Sequence, residues 1–248
     1  MKRPIVLLHG WTMTGAVFDD LAGRLGDRTC AAPDLPGHGR ARHLPPSPDN
    51  WAACVAETLA ALPGAVAVGW SMGAMALWHC LDRHGPGDLA GLITVDMSPR
   101  LRPAPDWPHG LLGQSEGSLP RVERRLVSDW EGASHGIAAS IFASGQEAPH
   151  FTRAMARDMI LTQDADTMRA AWQALVGMDK RAAVADIALP WLVCSGAQSR
   201  VYPASASDWL ARTAPRTLRH VFAKSGHAPH LQEPDSFARV VAAFADAL

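Results

Sequence analysis

The stretch Gly69-Trp70-Ser71-Met72-Gly73 decides the fold, because it lies between an apolar run at 65–68 and a helical pattern at 74–83. It matches G-x-S-x-G, in which a serine occupies a sharp turn between a strand and a helix. Glycine two residues before and after the serine leaves room for the backbone, and the helix N-terminus favours developing negative charge. We therefore predict that Ser71 is a nucleophile; the alternative is a tight turn without chemistry.

Strands and helices alternate on both sides of this stretch. Short apolar runs predict strands, and helical periodicity predicts helices, one of them capped by Asp49 or Asn50. The alternation predicts an α/β fold with a mostly parallel sheet flanked by helices on both faces. The expected strands are 5–8, 29–32, 65–68, 89–95, 191–194 and 217–222, and the expected helices are 18–25, 50–62, 74–83, 204–213 and 236–248.

The alternation stops after Pro99. Residues 101–120 are rich in proline and glycine, and residues 121–180 have the pattern of several helices with no strand between them. This is typical of a helical lid inserted into an α/β core. We predict a core of residues 1–99 and 186–248 and a lid of residues 100–185.

The ends of the first and last predicted strands supply the remaining parts of a catalytic site. His9-Gly10-Trp11 follows the first strand and Gly226-His227 follows the last. A nucleophile early in the chain and a histidine near its end is the order of α/β hydrolases. We predict His227 as the general base and the backbone N–H groups of Trp11 and Met72 as the oxyanion hole. The side chains of Trp11 and Trp70 are expected to wall the acyl pocket.

Four motifs carry a family resemblance: Leu7-Leu8-His9-Gly10-Trp11, DLPGHGR at 34–40, GWSMG at 69–73 and FAKSGHAP at 222–229. Over nearly the whole chain they resemble the BioH-type esterases, the pimeloyl-[acyl-carrier protein] methyl ester carboxylesterases of biotin synthesis. The resemblance implies an α/β-hydrolase fold and a serine carboxylesterase that forms an acyl-enzyme and needs no cofactor. Since the chain starts close to its first strand, we expect a sheet smaller than the family's.

The triad acid departs from this family pattern. The family carries it in a pattern like G-x-x-D-x-x-x-P, but here residues 196–203 read GAQSRVYP, with Ser199 at the acid position. A hydroxyl cannot balance an imidazolium charge. Asp96 lies at the end of the strand that follows the predicted helix at 74–83, and parallel strands end at one edge of a sheet. We therefore predict that Asp96 has taken over as the acid; the alternative is an aspartate that caps its loop or pairs with an arginine.

Lid arginines are the predicted contacts for a carrier protein. Arg121 and Arg125, and likewise Arg153 and Arg157, are four residues apart, so each pair would share one helix face. The resemblance implies that such arginines hold the acidic carrier protein and its phosphopantetheine. The alternative is a solvated helix face with local partners such as Glu123 and Asp158.

Composition excludes several function classes. Lys and Arg number 23 against 24 Asp and Glu, so no strongly basic surface suggests nucleic-acid binding. Four widely spaced cysteines form no metal-binding pattern, and no apolar run is long enough to cross a bilayer. We expect a monomeric cytoplasmic protein with neither metal nor cofactor, acting on an ester that a carrier protein could hold.

Two other functions stay open at this point. The first is a general small-ester carboxylesterase or thioesterase with the same machinery and no carrier protein. The second is a non-catalytic α/β-hydrolase-fold binding protein, in which Ser199 would mark a decayed triad.

Overall fold

A six-stranded parallel sheet forms the centre of the molecule. The computed structural model describes residues 2–115 and 117–248. The strands are β1 (Ile5–Leu8), β2 (Cys30–Ala31), β3 (Val66–Trp70), β4 (Gly91–Val95), β5 (Trp191–Gly196) and β6 (Thr217–Phe222), in the order β2-β1-β3-β4-β5-β6. Every pairing between neighbours is parallel, so all six carboxyl ends lie at one edge.

The apolar strand sequences are explained by burial on both faces of the sheet. Every residue of β1, β3, β4 and β5 is buried, as expected of parallel strands covered by helices. Alternate side chains of β1 enter two separate cores: Val6 and Leu8 on one face, Ile5 and Leu7 on the other. β6 is an edge strand and leaves Leu218 exposed. The predicted α/β fold with a parallel sheet is confirmed.

Among the described residues, seven helices lie in the parts of the chain where helices alternate with strands, before β4 and from residue 181 onward. They are α1 (Asp19–Arg24), α2 (Pro48–Ala60), α3 (Met72–His84), α8 (Arg181–Ala185), α9 (Ala204–Thr213), α10 (Pro229–Gln232) and α11 (Pro234–Asp246). The short helices α8 and α10 were not predicted, because five and four residues are too few for a clear periodicity. The predicted helix at 18–25 is a 3₁₀ turn, Gly15–Phe18, followed by α1.

The predicted cap of α2 was wrong. The cap is Ser47, whose hydroxyl accepts a hydrogen bond from the Asn50 N–H at 3.3 Å, whereas Asp49 and Asn50 lie within the helix. Pro48 explains the earlier start, since proline is favoured in the first helical position, where its missing N–H costs no hydrogen bond.

Between β4 and α8 the described residues form four helices: α4 (Leu119–Ser128), α5 (Trp130–Ile141), α6 (Arg153–Leu161) and α7 (Ala165–Gly177). α4 packs against α7, and α5 packs against α6. The two ends of this segment meet at its base, where the Lys180 N–H donates to the Pro99 carbonyl at 2.8 Å and Arg100 forms an antiparallel bridge with Asp179. The division of the chain into core and lid stays a prediction. Within residues 2–115 and 117–248, none of the helices has the length and hydropathy needed to span a membrane.

Candidate active site

Ser71 lies in a strained turn between β3 and α3. Its φ of 52° places a non-glycine residue in the left-handed region. The flanking glycines make the turn possible by close approach: a Cβ on Gly69 would lie 2.7 Å from the Ala74 backbone, and one on Gly73 would collide with the Leu8 carbonyl. The Ser71 N–H donates to the Val95 carbonyl at 3.0 Å. The strain is therefore held by backbone contacts on both neighbouring strands.

His227 lies in the loop between β6 and α10 and is buried. Its Nδ1 is 2.6 Å from Oδ2 of Asp96, so Nδ1 carries the donated proton and Nε2 is left as an acceptor. The Trp70 indole N–H donates to the His227 carbonyl at 2.9 Å. Because Trp70 precedes Ser71, this bond ties the histidine loop directly to the nucleophile turn.

Asp96 directly follows β4 with a φ of 46°, and its side chain is only 4% exposed. Its N–H donates to the Cys194 carbonyl at 2.9 Å, which fixes the strand end against β5. Among the described residues, the side-chain donors to its carboxylate are His227 and Ser199, and no arginine pairs with it. The carboxylate therefore lies directly behind the imidazole.

Ser199 lies in the turn after β5, and β5 is the neighbour of β4 in the sheet. Its hydroxyl donates to Oδ2 of Asp96 at 2.6 Å, and among the described residues no hydrogen bond joins it to the imidazole. It also accepts from the Val201 N–H at 3.3 Å and from the Tyr202 N–H at 3.5 Å. The residue at the family's acid position thus contacts the carboxylate that lies one strand away.

Ser71 and His227 line one cavity of about 270 Å³. Within the part of the chain that the structure describes, no hydrogen bond joins the serine hydroxyl to the imidazole. Such bonds are often long without substrate and tighten in the complex. Ser71, His227 and Asp96, predicted from separate stretches of sequence, are brought to the same edge of the sheet.

The two amides predicted for the oxyanion hole flank Ser71. Met72 begins α3, so its N–H has no acceptor within the helix. Across residues 2–115 and 117–248, neither this group nor the Trp11 N–H donates a hydrogen bond. A Cβ on Gly10 would lie 3.4 Å from the Ser71 Cβ, which places the Gly10-Trp11 loop beside the nucleophile. Both amides are thus available to an oxyanion.

His9 fixes this loop and does not take part in proton transfer. Its Nδ1 donates to the Gly10 carbonyl at 2.8 Å, and its Nε2 accepts from the Leu35 N–H at 2.9 Å. Burial lowers the pKa of His9 to about 4, so the ring stays neutral and keeps both bonds.

The cavity is walled by the core on one side and by helices α4, α5 and α7 on the other. Trp11 and Trp70, whose side chains were predicted to wall the acyl pocket, both line this cavity. The remaining apolar lining was not predicted from the sequence; it includes Leu101, Leu111, Val122, Leu126, Ile137, Trp172, Leu175 and Tyr202. The spacing of Val122 and Leu126, four apart, was a usable signal for an inward helix face.

One charged side chain of the lining was also missed. Arg200, which follows Ser199, is exposed at the cavity. Arg200 carries no pattern that distinguishes it from other surface arginines, so nothing in the sequence identified it.

The lid arginines do not line the cavity. Arg121 and Arg125 lie on α4, and Arg153 and Arg157 lie on α6. Their ion pairs differ from the local partners expected: Arg125 pairs with Asp129 at 3.9 Å, Arg153 with Glu147 at 3.8 Å and Arg157 with Glu131 at 3.0 Å. Since α6 packs against α5, Arg157 reaches Glu131 across the helix pair instead of Asp158 on its own helix.

No cluster of three or more histidine, cysteine, aspartate or glutamate side chains suited to a metal ion lies within the described residues. The four cysteines are free thiols, two of them buried.

A parallel sheet, a serine on the β3–α3 turn and a histidine paired with a carboxylate after the last strand define a serine hydrolase of the α/β type. The model of the alpha/beta hydrolase family matches residues 5–240. A pimeloyl-[acyl-carrier protein] methyl ester esterase of Chromobacterium violaceum is 32% identical over 242 residues, covering 96% of this chain and 92% of that protein. A protein of the same name from Stenotrophomonas maltophilia is 30% identical, covering 98% of this chain and 93% of that protein.

The chain belongs to the α/β-hydrolase family, and within it to the group of the pimeloyl-[acyl-carrier protein] methyl ester esterases. It is a carboxylic ester hydrolase. Solved structures agree on the fold: an esterase of Exiguobacterium antarcticum has a TM-score of 0.89 at 20% identity, covering 98% of this chain and 92% of its own. A bromoperoxidase of Bacillus anthracis has the same TM-score at 16% identity, covering 99% and 92%. At these identities the likeness concerns the fold alone.

Proposed function

We propose that this esterase hydrolyses the methyl ester of a pimeloyl chain on acyl-carrier protein, the reaction named for its relatives, with Ser71, His227 and Asp96 as its triad. The observation that carries the triad is the 2.6 Å contact between His227 Nδ1 and a buried carboxylate, with Ser71 lining the same cavity. The substrate rests on the names of relatives about 30% identical over nearly the full chain.

The proposed mechanism is acyl transfer through the serine. His227 Nε2 takes the Ser71 proton as the hydroxyl attacks the ester carbonyl, and the N–H groups of Trp11 and Met72 hold the oxyanion. Asp96 keeps the imidazole in the required tautomer and balances its charge while it is protonated. Methanol leaves with the proton from His227, and a water activated by the same imidazole then releases the acid.

The cavity suits an acyl chain. Its walls are largely tryptophan, leucine, valine and isoleucine side chains, so each methylene that leaves water contributes about 0.8 kcal/mol. Residues 100–185 act in this proposal as a lid, since α4, α5 and α7 supply one side of the cavity. The acyl chain would lie between this lid and the sheet edge.

A carrier protein would approach over the lid. Arg121 and Arg125 are exposed on α4, and Arg153 and Arg157 are partly exposed on α6. Their ion pairs with Asp129, Glu147 and Glu131 are surface pairs worth about 0–1 kcal/mol each, so an acidic carrier can replace them. We propose a monomeric cytoplasmic enzyme whose partner is acyl-carrier protein.

One observation favours a second candidate, a small-ester carboxylesterase that needs no carrier. Three of the four lid arginines already have acidic partners, and none lines the cavity. The third reading, a non-catalytic binding protein, is disfavoured by the buried His227–Asp96 contact.

Two measurements test the proposal. A fluorophosphonate probe should label the wild-type chain and not Ser71→Ala; absence of labelling in both would overturn the serine mechanism. Methanol release is then compared between the methyl ester of pimeloyl-acyl-carrier protein and a free pimelate methyl ester. A large preference for the carrier-bound ester, together with rescue of a biotin auxotroph lacking its esterase, supports the proposal. Equal kcat/KM on both esters without rescue favours the second candidate.

A further inference from the structure

Ser199 stands where it can control the carboxylate behind His227. Its hydroxyl lies 2.6 Å from Oδ2 of Asp96, and the same oxygen accepts the hydrogen bond from His227 Nδ1 at 2.6 Å. Hydrogen bonds to a charged acceptor are shorter and stronger than neutral ones. Two donors therefore converge on one carboxylate oxygen, one from the imidazole and one from the end of the neighbouring strand.

The direction of the Ser199 proton follows from its other contacts. The N–H groups of Val201 and Tyr202 both point at its oxygen, at 3.3 and 3.5 Å. A hydroxyl has one donor proton and two acceptor lone pairs. With amides facing the lone pairs, the proton is directed at Asp96, which has no proton to donate when ionised. The β5 turn thus holds the hydroxyl as a fixed donor.

Burial makes this donor important. The Asp96 side chain is 4% exposed, and the buried Tyr202 ring covers the site at 6.0 Å from the imidazole. A buried carboxylate with too few donors is costly, because water cannot replace the missing hydrogen bond. Among the residues that the structure describes, Ser199 is the side-chain donor to Asp96 other than His227 itself.

We propose that Ser199 is a positioning residue of this esterase: its hydroxyl orients the Asp96 carboxylate toward His227 and withdraws negative charge from the oxygen that faces the imidazole. The proposal rests on the triad put forward above. Ser199 is not among the described residues that line the cavity, so it acts on kcat through Asp96 and His227 and leaves substrate binding unchanged.

Other groups near this pair do not titrate at working pH. Burial raises the pKa of the Tyr202 phenol, and the adjacent Asp96 raises it further, so Tyr202 stays protonated. Burial lowers the pKa of His230 to about 3, and His230 stays neutral. Arg200, the residue after Ser199, also lines the cavity. The acid limb of a rate profile between pH 5 and 9 therefore reports the state of the His227–Asp96 pair.

The test compares Ser199→Ala and Ser199→Thr with wild type, using kcat and KM on a p-nitrophenyl ester from pH 5 to 9. Ser199→Ala should lose roughly 10-fold in kcat, as expected for a hydrogen bond to a charged group, with KM unchanged. Its acid limb should move to higher pH, because more negative charge on Oδ2 favours the imidazolium. Ser199→Thr keeps a hydroxyl and should restore most of kcat and the wild-type limb.

Gln198→Ala is the matched control for a loosened turn. Gln198 is the preceding residue, and its side-chain bonds go to Ala223 and Gln146, away from the triad. It should keep the wild-type kcat and pH profile. The proposal is overturned if Ser199→Ala keeps its kcat and acid limb, if Gln198→Ala loses as much, or if Ser199→Thr behaves like Ser199→Ala. Asp96→Asn distinguishes failure of the Ser199 proposal from failure of the proposed triad. Full activity of Asp96→Asn would refute the triad. A large loss in Asp96→Asn combined with an unaffected Ser199→Ala would refute only the role of Ser199.

Discussion

The ends of β4 and β5 lie side by side at the carboxyl edge of the sheet and carry different groups. β4 is followed directly by a carboxylate, Asp96, and β5 is followed three residues later by a hydroxyl, Ser199. The two groups are hydrogen-bonded to each other, and of the two only the carboxylate has a hydrogen bond to the His227 ring among the described residues. Adjacent parallel strands therefore offer two places from which an acid could reach one imidazole, and in the proposed triad the acid stands at the place nearer the nucleophile strand.

The largest effect should come from removing the carboxylate at β4. Asp96→Asn keeps the size of the side chain and presents an amide to Nδ1, which favours the wrong tautomer. We expect kcat on a short ester to fall by about 10⁴-fold, as for the acid of other serine triads. Asp186→Asn, an exposed aspartate far from the site, serves as the control and should match wild type. An Asp96→Asn enzyme with wild-type kcat would refute the assignment of the acid.

Exchanging the two groups should recover part of that loss. In an Asp96→Ser background, adding Ser199→Asp returns a carboxylate to the edge, since the position 199 hydroxyl already lies 2.6 Å from Oδ2 of Asp96. We expect up to about 10²-fold recovery of kcat over Asp96→Ser alone, the coupling expected within one hydrogen-bond network.

The single variant Ser199→Asp, made in the otherwise wild-type chain, is the comparison for the exchange variant. It places two carboxylates at hydrogen-bond distance, and like charges in one buried site cannot both ionise easily. We expect this single variant to lose activity. If the exchange variant is no better than Asp96→Ser, the two strand ends are not equivalent places for the acid.

The elements and site residues that depend on local patterns could be predicted from the sequence. β1, α9 and β6 have the predicted bounds, because a buried strand or an amphipathic helix follows from its own residues. Asp96 could be singled out because the expected acid position holds Ser199. The direction of the Ser199 hydroxyl could not be predicted, since it depends on turn amides that follow it. The spacing of Val122 and Leu126 could have indicated an inward face of α4, but the meeting of that face with α5 and α7 around the cavity depends on tertiary packing.

A variant of the arginines at 153 and 157 can distinguish the chemistry at the two strand ends from recognition of a carrier protein. Reversing the charge in Arg153→Glu/Arg157→Glu leaves Asp96 and Ser199 untouched, because neither arginine lines the cavity. We expect kcat/KM to fall by about 10-fold on a carrier-bound ester, from lost electrostatic complementarity, and to stay within about 2-fold on a small ester.

Arg216→Glu/Arg239→Glu makes the same change in net charge at two exposed positions outside the lid. It should leave both substrates unaffected. Equal loss on both substrates in the lid variant would count against a carrier-binding role and would indicate damage to the lid itself.

The smallest effect concerns stability, and it compares a buried histidine that has a carboxylate partner with one that has none among the described residues. His227 has that carboxylate at 2.6 Å, whereas His230, three residues later, is buried with neither ring nitrogen hydrogen-bonded among the described residues. Burial lowers the pKa of His230 to about 3.

The unfolded chain binds a proton at His230 below pH 6.5 and the folded chain does not, so His230 lowers the free energy of unfolding as the pH falls from about 6.5 toward 3. His230→Phe, beside Phe18, Trp70 and Phe237, should reduce the loss of unfolding free energy on acidification by roughly 1 kcal/mol per pH unit. Urea unfolding at pH 7 and pH 5 measures it, and an unchanged difference between the two pH values would mean that His230 accepts a proton in the folded state without the help of a carboxylate.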